Sequence, residues 1–145
     1  MTSIIEGASL LRRQIVELLD GDATLKQRVS RVFGYIPPND TAQPFLVAYP
    51  MRVVDQSALG EGEDGVEVSL SISAVWGHYE GEGDAHPLVE IFAQVHELLQ
   101  GFAVTIPGFD ATQLTFLELD EEQDADGLGF DGRITFQCQL LREAD

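Results

Sequence analysis

The chain has 145 residues, 44% of them hydrophobic and 8% aromatic, and it carries 8 basic against 25 acidic residues, a formal net charge of -17. This size and composition predict one folded domain over residues 1–145 and exclude a disordered chain. The charge argues against nucleic-acid binding, which needs clustered Lys and Arg. No apolar run is long enough to cross a bilayer, and the N-terminus lacks signal-peptide features, so we expect a soluble protein made and used in a cytoplasm.

An N-terminal helix is predicted by apolar residues that recur at helical spacing between Ile4 and Leu19. Asp20-Gly21-Asp22 ends the pattern with a glycine C-cap signal. A weaker helical turn is predicted over Ala23–Val29.

Two strands are predicted next in the chain. A short one over Arg31–Ile36 precedes a proline breaker and a longer apolar strand over Phe45–Val54. Pro50 inside the longer strand predicts an edge strand or a bulge, because proline has no N–H to donate. The glycine-rich, acidic segment Asp55–Gly65 has no periodicity, and we expect a mobile loop there.

The clearest strand signal covers Val66–Trp76, where apolar and polar residues alternate. Trp76 ends the apolar row. We therefore expect its ring to be buried under a following helix, against Phe92 and Val95.

That second helix is predicted from an apolar stripe over Leu88–Leu99, and Gly101 ends it. Two more strands are predicted at about Gln113–Leu119 and Gly132–Leu141. Their connector, Asp120–Asp131, is interpreted as the acidic tip of a hairpin.

This order of elements predicts an α+β fold, with two helices packed on one face of a mainly antiparallel sheet of four or five strands. The other face would carry polar but almost uncharged side chains in a protein with many charges to spare. Such a face favours contact with another protein, and plain solvation is the alternative. The residues of this predicted assembly interface are Ser69, Ser71, Ser73, Thr135, Gln137 and Gln139.

The sequence offers no pattern typical of a catalytic, cofactor or metal site. His78, His86 and His96 lack the i, i+4 spacing of a zinc helix. The acidic connector fails as a calcium loop in two registers, because Arg133 replaces the final carboxylate in one and Ala125 the glycine in the other. Phosphate loops and nucleophile elbows are also missing. We therefore expect a protein that is not an enzyme and has no cofactor.

The single cysteine, Cys138, excludes an intrachain disulfide. It alternates with Ile134, Phe136 and Leu140, which favours a small core residue. A reactive thiol is the alternative.

Four segments carry a family resemblance over nearly the whole chain: RVFGYIPPNDTAQPFLVAYP, VEVSLSISAVWGHYEG, HPLVEIFAQVHELLQG and FQCQLLRE. They resemble the tail-completion, or tail-terminator, proteins of long-tailed phages and related prophage elements. The resemblance implies a ring, typically a hexamer, at the head-proximal end of the tail tube in the virion, assembled in the host bacterial cytoplasm. Such a ring halts tube growth and lets DNA pass. The implied partners are other copies of the chain, the tail tube protein and a head-completion protein.

Two further surfaces are predicted for this role. A loop that projects toward the tube or the lumen would include Asp55, Glu61, Glu63 and Asp64. A basic cluster near the first helix, joined by Lys26, would pair with acidic residues of a neighbouring subunit. Its members are Arg12, Arg13, Arg28 and Arg31.

Two alternatives stay open at this point. One is another neck, head-completion or tail tube protein of similar fold. The other is a small cytosolic ligand-binding domain or an enzyme, which a stable monomer with a ligand pocket would favour.

Overall fold

A computed structural model of the chain describes residues 3–38, 41–56, 65–76, 88–123 and 129–143. These ranges contain three helices and six strands. In chain order they are α1 (Ile4–Asp20), α2 (Ala23–Lys26), β1 (Val32–Phe33), β2 (Phe45–Asp55), β3 (Gly65–Trp76), α3 (Val89–Leu99), β4 (Phe109–Ala111), β5 (Thr115–Gln123) and β6 (Phe130–Arg142). Within these ranges, no helix is long and apolar enough to cross a membrane.

The strands form one sheet in the order β1-β2-β3-β6, and both β4 and β5 pair with the remaining edge of β6. β1 runs parallel to β2, and the other pairs are antiparallel. The predicted α+β fold with a mainly antiparallel sheet is confirmed. The sheet has one strand more than expected, because the three-residue β4 was not predicted. β1 and β5 lie at opposite edges of the sheet.

The core lies between the helices and one face of the sheet. The predicted inward rows of β3 and β6 are buried there: Val66, Val68, Leu70, Ile72, Ala74, Ile134, Phe136, Cys138 and Leu140. Strict alternation puts these side chains on one face of adjacent strands, and the apolar stripes of α1 and α3 cover them.

Helix α1 begins at a serine cap and ends beside β1. The Ser3 hydroxyl accepts a hydrogen bond from the Ile5 N–H at 3.1 Å. At the other end, Asp20 Oδ1 accepts from Lys26 Nζ at 2.9 Å and from the Val32 N–H at 3.0 Å. Burial raises the pKa of Asp20, but these two hydrogen bonds and the charges of Lys26 and Arg31 together lower it below its usual value. Asp20 therefore fixes β1 to the end of the helix.

The bulge predicted at Pro50 is confirmed. The register of β2 against β3 shifts between Ala48 and Met51, so that Ala48 lies opposite Ile72 and Met51 opposite Leu70. Proline cannot donate to the ladder, and a bulge leaves it unpaired.

The segment between β2 and β3 is shorter than predicted. Asp55 is a strand residue paired with Val66, and the Gln56 N–H donates to the Gly65 carbonyl at 2.9 Å. Placing Asp55 in the loop was therefore wrong. Residues 57–64, with Glu61, Glu63 and Asp64, lie outside the described residues, as do His78 and His86.

The acidic connector between the last two strands is also shorter than predicted. Asp120 pairs with Arg133 and Glu122 with Asp131, so the strands continue well into the segment that was interpreted as a hairpin tip. That interpretation was wrong for both ends of Asp120–Asp131, because cross-strand pairing with β6 holds these acids in extended backbone.

Trp76 is only partly buried. It ends β3 opposite Phe130 and packs against the edge of the core rather than within it. Its predicted full burial is therefore wrong, because the strand reaches the rim of the sheet at this residue.

Candidate assembly surfaces

The predicted polar residues lie on one face of two neighbouring strands. Ser69 lies opposite Gln137 and Ser71 opposite Thr135 on the neighbouring strands β3 and β6, and their side chains point away from the helices. The alternation that buries the apolar rows brings these residues together on the opposite side of the sheet.

The centre of this face is buried, contrary to the prediction of an open polar face. Ser71 and Thr135 are each only 6% exposed, and their hydroxyl oxygens lie 2.8 Å apart in a hydrogen bond. Each hydroxyl satisfies the other, which offsets the cost of removing both from water.

The surroundings of this face carry charge, which was not predicted. Arg133 lies opposite Ser73, and Glu67 lies opposite Gln139. Glu118 and Asp120 of β5 lie opposite Thr135 and Arg133. Asp120 was missed because it was assigned to the connector, whereas Glu118 lies within the predicted strand. The face is thus a neutral strip with charged margins.

Besides Ser71 and Thr135, two more of the predicted interface residues form hydrogen bonds within the same chain. Gln139 Nε2 donates to Gln56 Oε1 at 3.1 Å, and Gln56 Nε2 donates to Glu67 Oε2 at 2.8 Å. Ser73 Oγ donates to the Tyr49 carbonyl at 2.6 Å. These bonds hold the polar groups in fixed directions, as a preorganised contact surface requires.

The predicted basic cluster divides into paired and unpaired cations. Arg13 forms an ion pair with Glu17 at 3.3 Å, and Arg28 forms one with Glu90. In the described part of the chain, Arg12 and Arg31 have no carboxylate at ion-pair distance. The Nε of Arg12 is buried without a hydrogen-bond partner.

The two unpaired arginines lie at the β1 edge of the sheet with exposed apolar side chains. The Arg31 guanidinium lies 5.1 Å from the centre of the Phe33 ring. Gly34 lies against Arg12, whose Cδ is 3.7 Å from the position that a Cβ at residue 34 would take. The next two residues, Tyr35 and Ile36, are 69% and 70% exposed. We call Arg12, Arg31, Phe33, Tyr35 and Ile36 the β1 edge surface.

An apolar groove lies at the opposite edge of the sheet, between α3 and β5. It has a volume of about 230 Å³ and is lined by Val89, Phe92, Ala93, His96, Phe116, Leu119, Glu121 and Ile134. The His96 and Phe116 rings pack edge to face with centres 5.2 Å apart. Every residue of β5 is exposed, and Leu117 is an additional large apolar side chain on this edge. We call this feature the α3–β5 groove.

The described residues contain no group of three or more His, Cys, Asp or Glu side chains placed to hold a metal ion. A larger groove of about 620 Å³ runs along the polar face, and its charged lining includes Asp120, Glu122, Asp131 and Arg133. The His96 side chain is exposed on α3.

Cys138 has the environment of an unreactive thiol. It is buried in β6, and burial raises its pKa to about 11. At pH 8 only about one thiol in a thousand would be ionised, and the thiolate is the reactive form. We expect a thiol reagent to leave the folded protein unmodified at pH 8 and to react fully in urea. Rapid labelling without denaturant would contradict the burial.

The described residues form a small α+β domain with a polar sheet face and with large apolar side chains exposed at both sheet edges, a surface typical of proteins that assemble with other proteins. The profile of the family described as Tail completion protein gp17 matches residues 13–139, and the chain belongs to this family of phage tail structural proteins. A solved structure described as the virion of a native gene transfer agent particle contains a chain of similar fold. Its TM-score is 0.75 at 20% identity, and the match covers 90% of this chain and 94% of that one. No curated protein sequence matches.

Proposed function

We propose that the chain is one subunit of a ring that caps the head-proximal end of a phage tail tube, stops tube growth and offers a joining surface to the head. Membership of a tail-completion family over residues 13–139 is the observation that carries this proposal. The partners are other copies of the chain, the tail tube protein and a head-completion protein. The place of action is the virion tail, after assembly in the bacterial cytoplasm.

The open sheet supports a ring. β1 and β5 lie at opposite edges, and each edge exposes large apolar side chains. Two different surfaces on opposite sides of one subunit favour head-to-tail contact between copies, which closes into a ring when the rotation allows. The neutral strip of the polar face, with Ser69, Ser73, Gln137 and Gln139 around its buried centre, is then available for the end of the tube.

Electron microscopy of purified tail tubes mixed with the protein tests the proposal. The expected result is a ring on one end of each tube and no further elongation when tube protein is added. Tubes without the chain are the control and should continue to grow. Decoration along the whole tube would contradict capping and would identify a tube subunit instead.

The acidic loop is proposed to contact the tube or the lumen. Because Gln56 and Gly65 already pair across β2 and β3, residues 57–64 can be replaced by Asn-Gly, which closes a two-residue hairpin turn. We expect an unchanged melting temperature and loss of tail completion. A full-length variant with Glu61, Glu63 and Asp64 changed to Gln or Asn separates the loss of charge from the loss of length. Normal tail completion by the Asn-Gly variant would contradict this role and would mean that the loop only connects β2 and β3.

The ring is proposed to let DNA pass without binding it. With 8 basic against 25 acidic residues, the chain offers phosphates few cations. We expect no mobility shift of duplex DNA by micromolar protein at low salt, where electrostatic affinity is greatest. A saturable shift that disappears in the Arg12→Glu, Arg13→Glu double variant would contradict the proposal.

A further inference from the structure

We infer that the β1 edge surface of one copy of this chain docks into the α3–β5 groove of the next copy. The side chains of Tyr35 and Ile36 would fill the groove, and Arg12 and Arg31 would face the acidic margin of β5. The inference rests on the ring proposed above and names the two surfaces that would close it.

The positions of the two surfaces allow this contact to repeat. They lie at opposite edges of one sheet, so a subunit can use one edge toward each neighbour without the two contacts competing. Tyr35 and Ile36 of the β1 edge surface are 69% and 70% exposed, and the other surface is a groove between a helix and a strand. Exposed side chains can enter a groove, whereas two copies of either surface do not complement each other.

The apolar parts of the two surfaces match in character. The groove is lined mainly by apolar and aromatic side chains, with Phe116 and Leu119 partly exposed along β5. Large apolar side chains left in water at a sheet edge are a liability that subunit contact removes. An aromatic and a branched aliphatic side chain are suitable occupants for such a groove.

The charges complement each other as well. Glu121 of β5 lines the groove, and Asp120 and Glu122 lie next to it along the same edge strand, on the polar face of the sheet. The β1 edge surface contributes Arg12 and Arg31. Neither has a carboxylate at ion-pair distance in the described part of its own subunit, and the charge of Arg31 acts on Asp20 only at longer range. A net charge of -17 makes most contacts between copies repulsive, so this basic surface would determine which orientation is tolerated.

Cysteine cross-linking tests the contact and its direction. In a Cys138→Ser background, the double variant Tyr35→Cys, Leu119→Cys is mixed with tail tubes and oxidised. A ladder of covalent oligomers on a non-reducing gel is expected, because each copy links to the next. The matched control Val54→Cys, Leu119→Cys replaces another partly exposed residue on a neighbouring strand and should give no ladder. Dimers from Leu119→Cys alone would indicate a symmetric contact and overturn the inference.

A second variant tests the same contact without cysteines. Ile36→Asp changes a residue that is 70% exposed, so the melting temperature should stay unchanged, while the protein concentration needed for half-maximal ring formation should rise at least tenfold. Rings seen by microscopy without the Tyr35–Leu119 ladder would overturn this inference and leave the capping function standing. A ladder with protein that never caps tubes would support the contact and contradict the function. A link from Tyr35→Cys to the tube protein would assign the β1 edge surface to a different partner.

Discussion

Replacing Phe92 by alanine is expected to lower the free energy of unfolding by about 3–5 kcal/mol, the usual cost of truncating a buried phenylalanine. Phe92 lies on the buried stripe of α3, is 2% exposed and packs over Gly132 of β6. Removal of its ring would leave a cavity between the helix and the sheet. Because small proteins are stable by only about 5–15 kcal/mol, the variant should unfold at a much lower urea concentration.

Phe116→Ala is the matched control for this substitution. The Phe116 ring lines the same groove, and the substitution removes the same atoms. Phe116 is, however, 38% exposed on an edge strand. We expect the free energy of unfolding to fall by about 1 kcal/mol. Less of the apolar area of this ring is buried in the folded protein, and its removal leaves no closed cavity because the groove is already open. Trp76→Ala should fall between the two, because Trp76 is partly buried. Equal losses for Phe92 and Phe116 would contradict the packing of α3 on the sheet.

Most of the fold could be predicted because its elements have strong local patterns. The alternation in β3 continues over twelve residues with hardly a break, and the apolar stripe of α3 has a clear helical period. Both patterns arise because one face of the element is buried. Backbone geometry then makes the apolar residues recur with the period of a strand or of a helix. Gly101 then ends the helical region with φ 76°, a conformation that glycine adopts without strain.

The errors came where tertiary pairing overrides local preference. Asp and Glu are disfavoured in strands, so the acids at the end of β5 resembled a turn. Pairing with β6 nevertheless holds these acids in a strand. The Arg133 Nε lies 3.9 Å from Asp120 Oδ2 across the two strands. β4 is three residues long, too short for any periodicity to be visible.

The candidate surfaces were predictable only in part for the same reason. Alternation placed Ser71 and Thr135 on the polar face, but their burial depends on how the sheet packs around them. The basic cluster could be seen in the sequence, yet the pairing of Arg28 with Glu90 joins residues 62 positions apart. The α3–β5 groove depends on a shift in register between Phe116 and Glu118, for which the sequence offers no signal.

Replacing Gly132 by alanine is expected to displace β5 and to lower the free energy of unfolding by about 1–3 kcal/mol, as overpacking generally does. A Cβ at this position would lie 2.9 Å from the carbonyl oxygen of Asp120 and 3.0 Å from Phe92 Cε2. The first of these atoms belongs to the backbone of β5 and the second to a ring held in the core. Neither can move without breaking a strand pairing or a packed contact, so β5 has to separate from β6.

Gly65→Ala is the control, because its clash is even shorter but of another kind. There a Cβ would come 2.5 Å from Leu141 Cδ2, the end of a flexible side chain that can rotate away, while the nearest backbone atom is 3.4 Å distant. We expect a loss below about 1 kcal/mol for Gly65→Ala.

Amide hydrogen exchange should accelerate in β5 of the Gly132 variant and stay unchanged there in the Gly65 variant. Since β5 forms one wall of the α3–β5 groove, the Gly132 variant should also lose ring formation at temperatures where it is still folded. Unaltered exchange in β5 would mean that the strand absorbs the extra carbon without moving, and ring formation should then be normal.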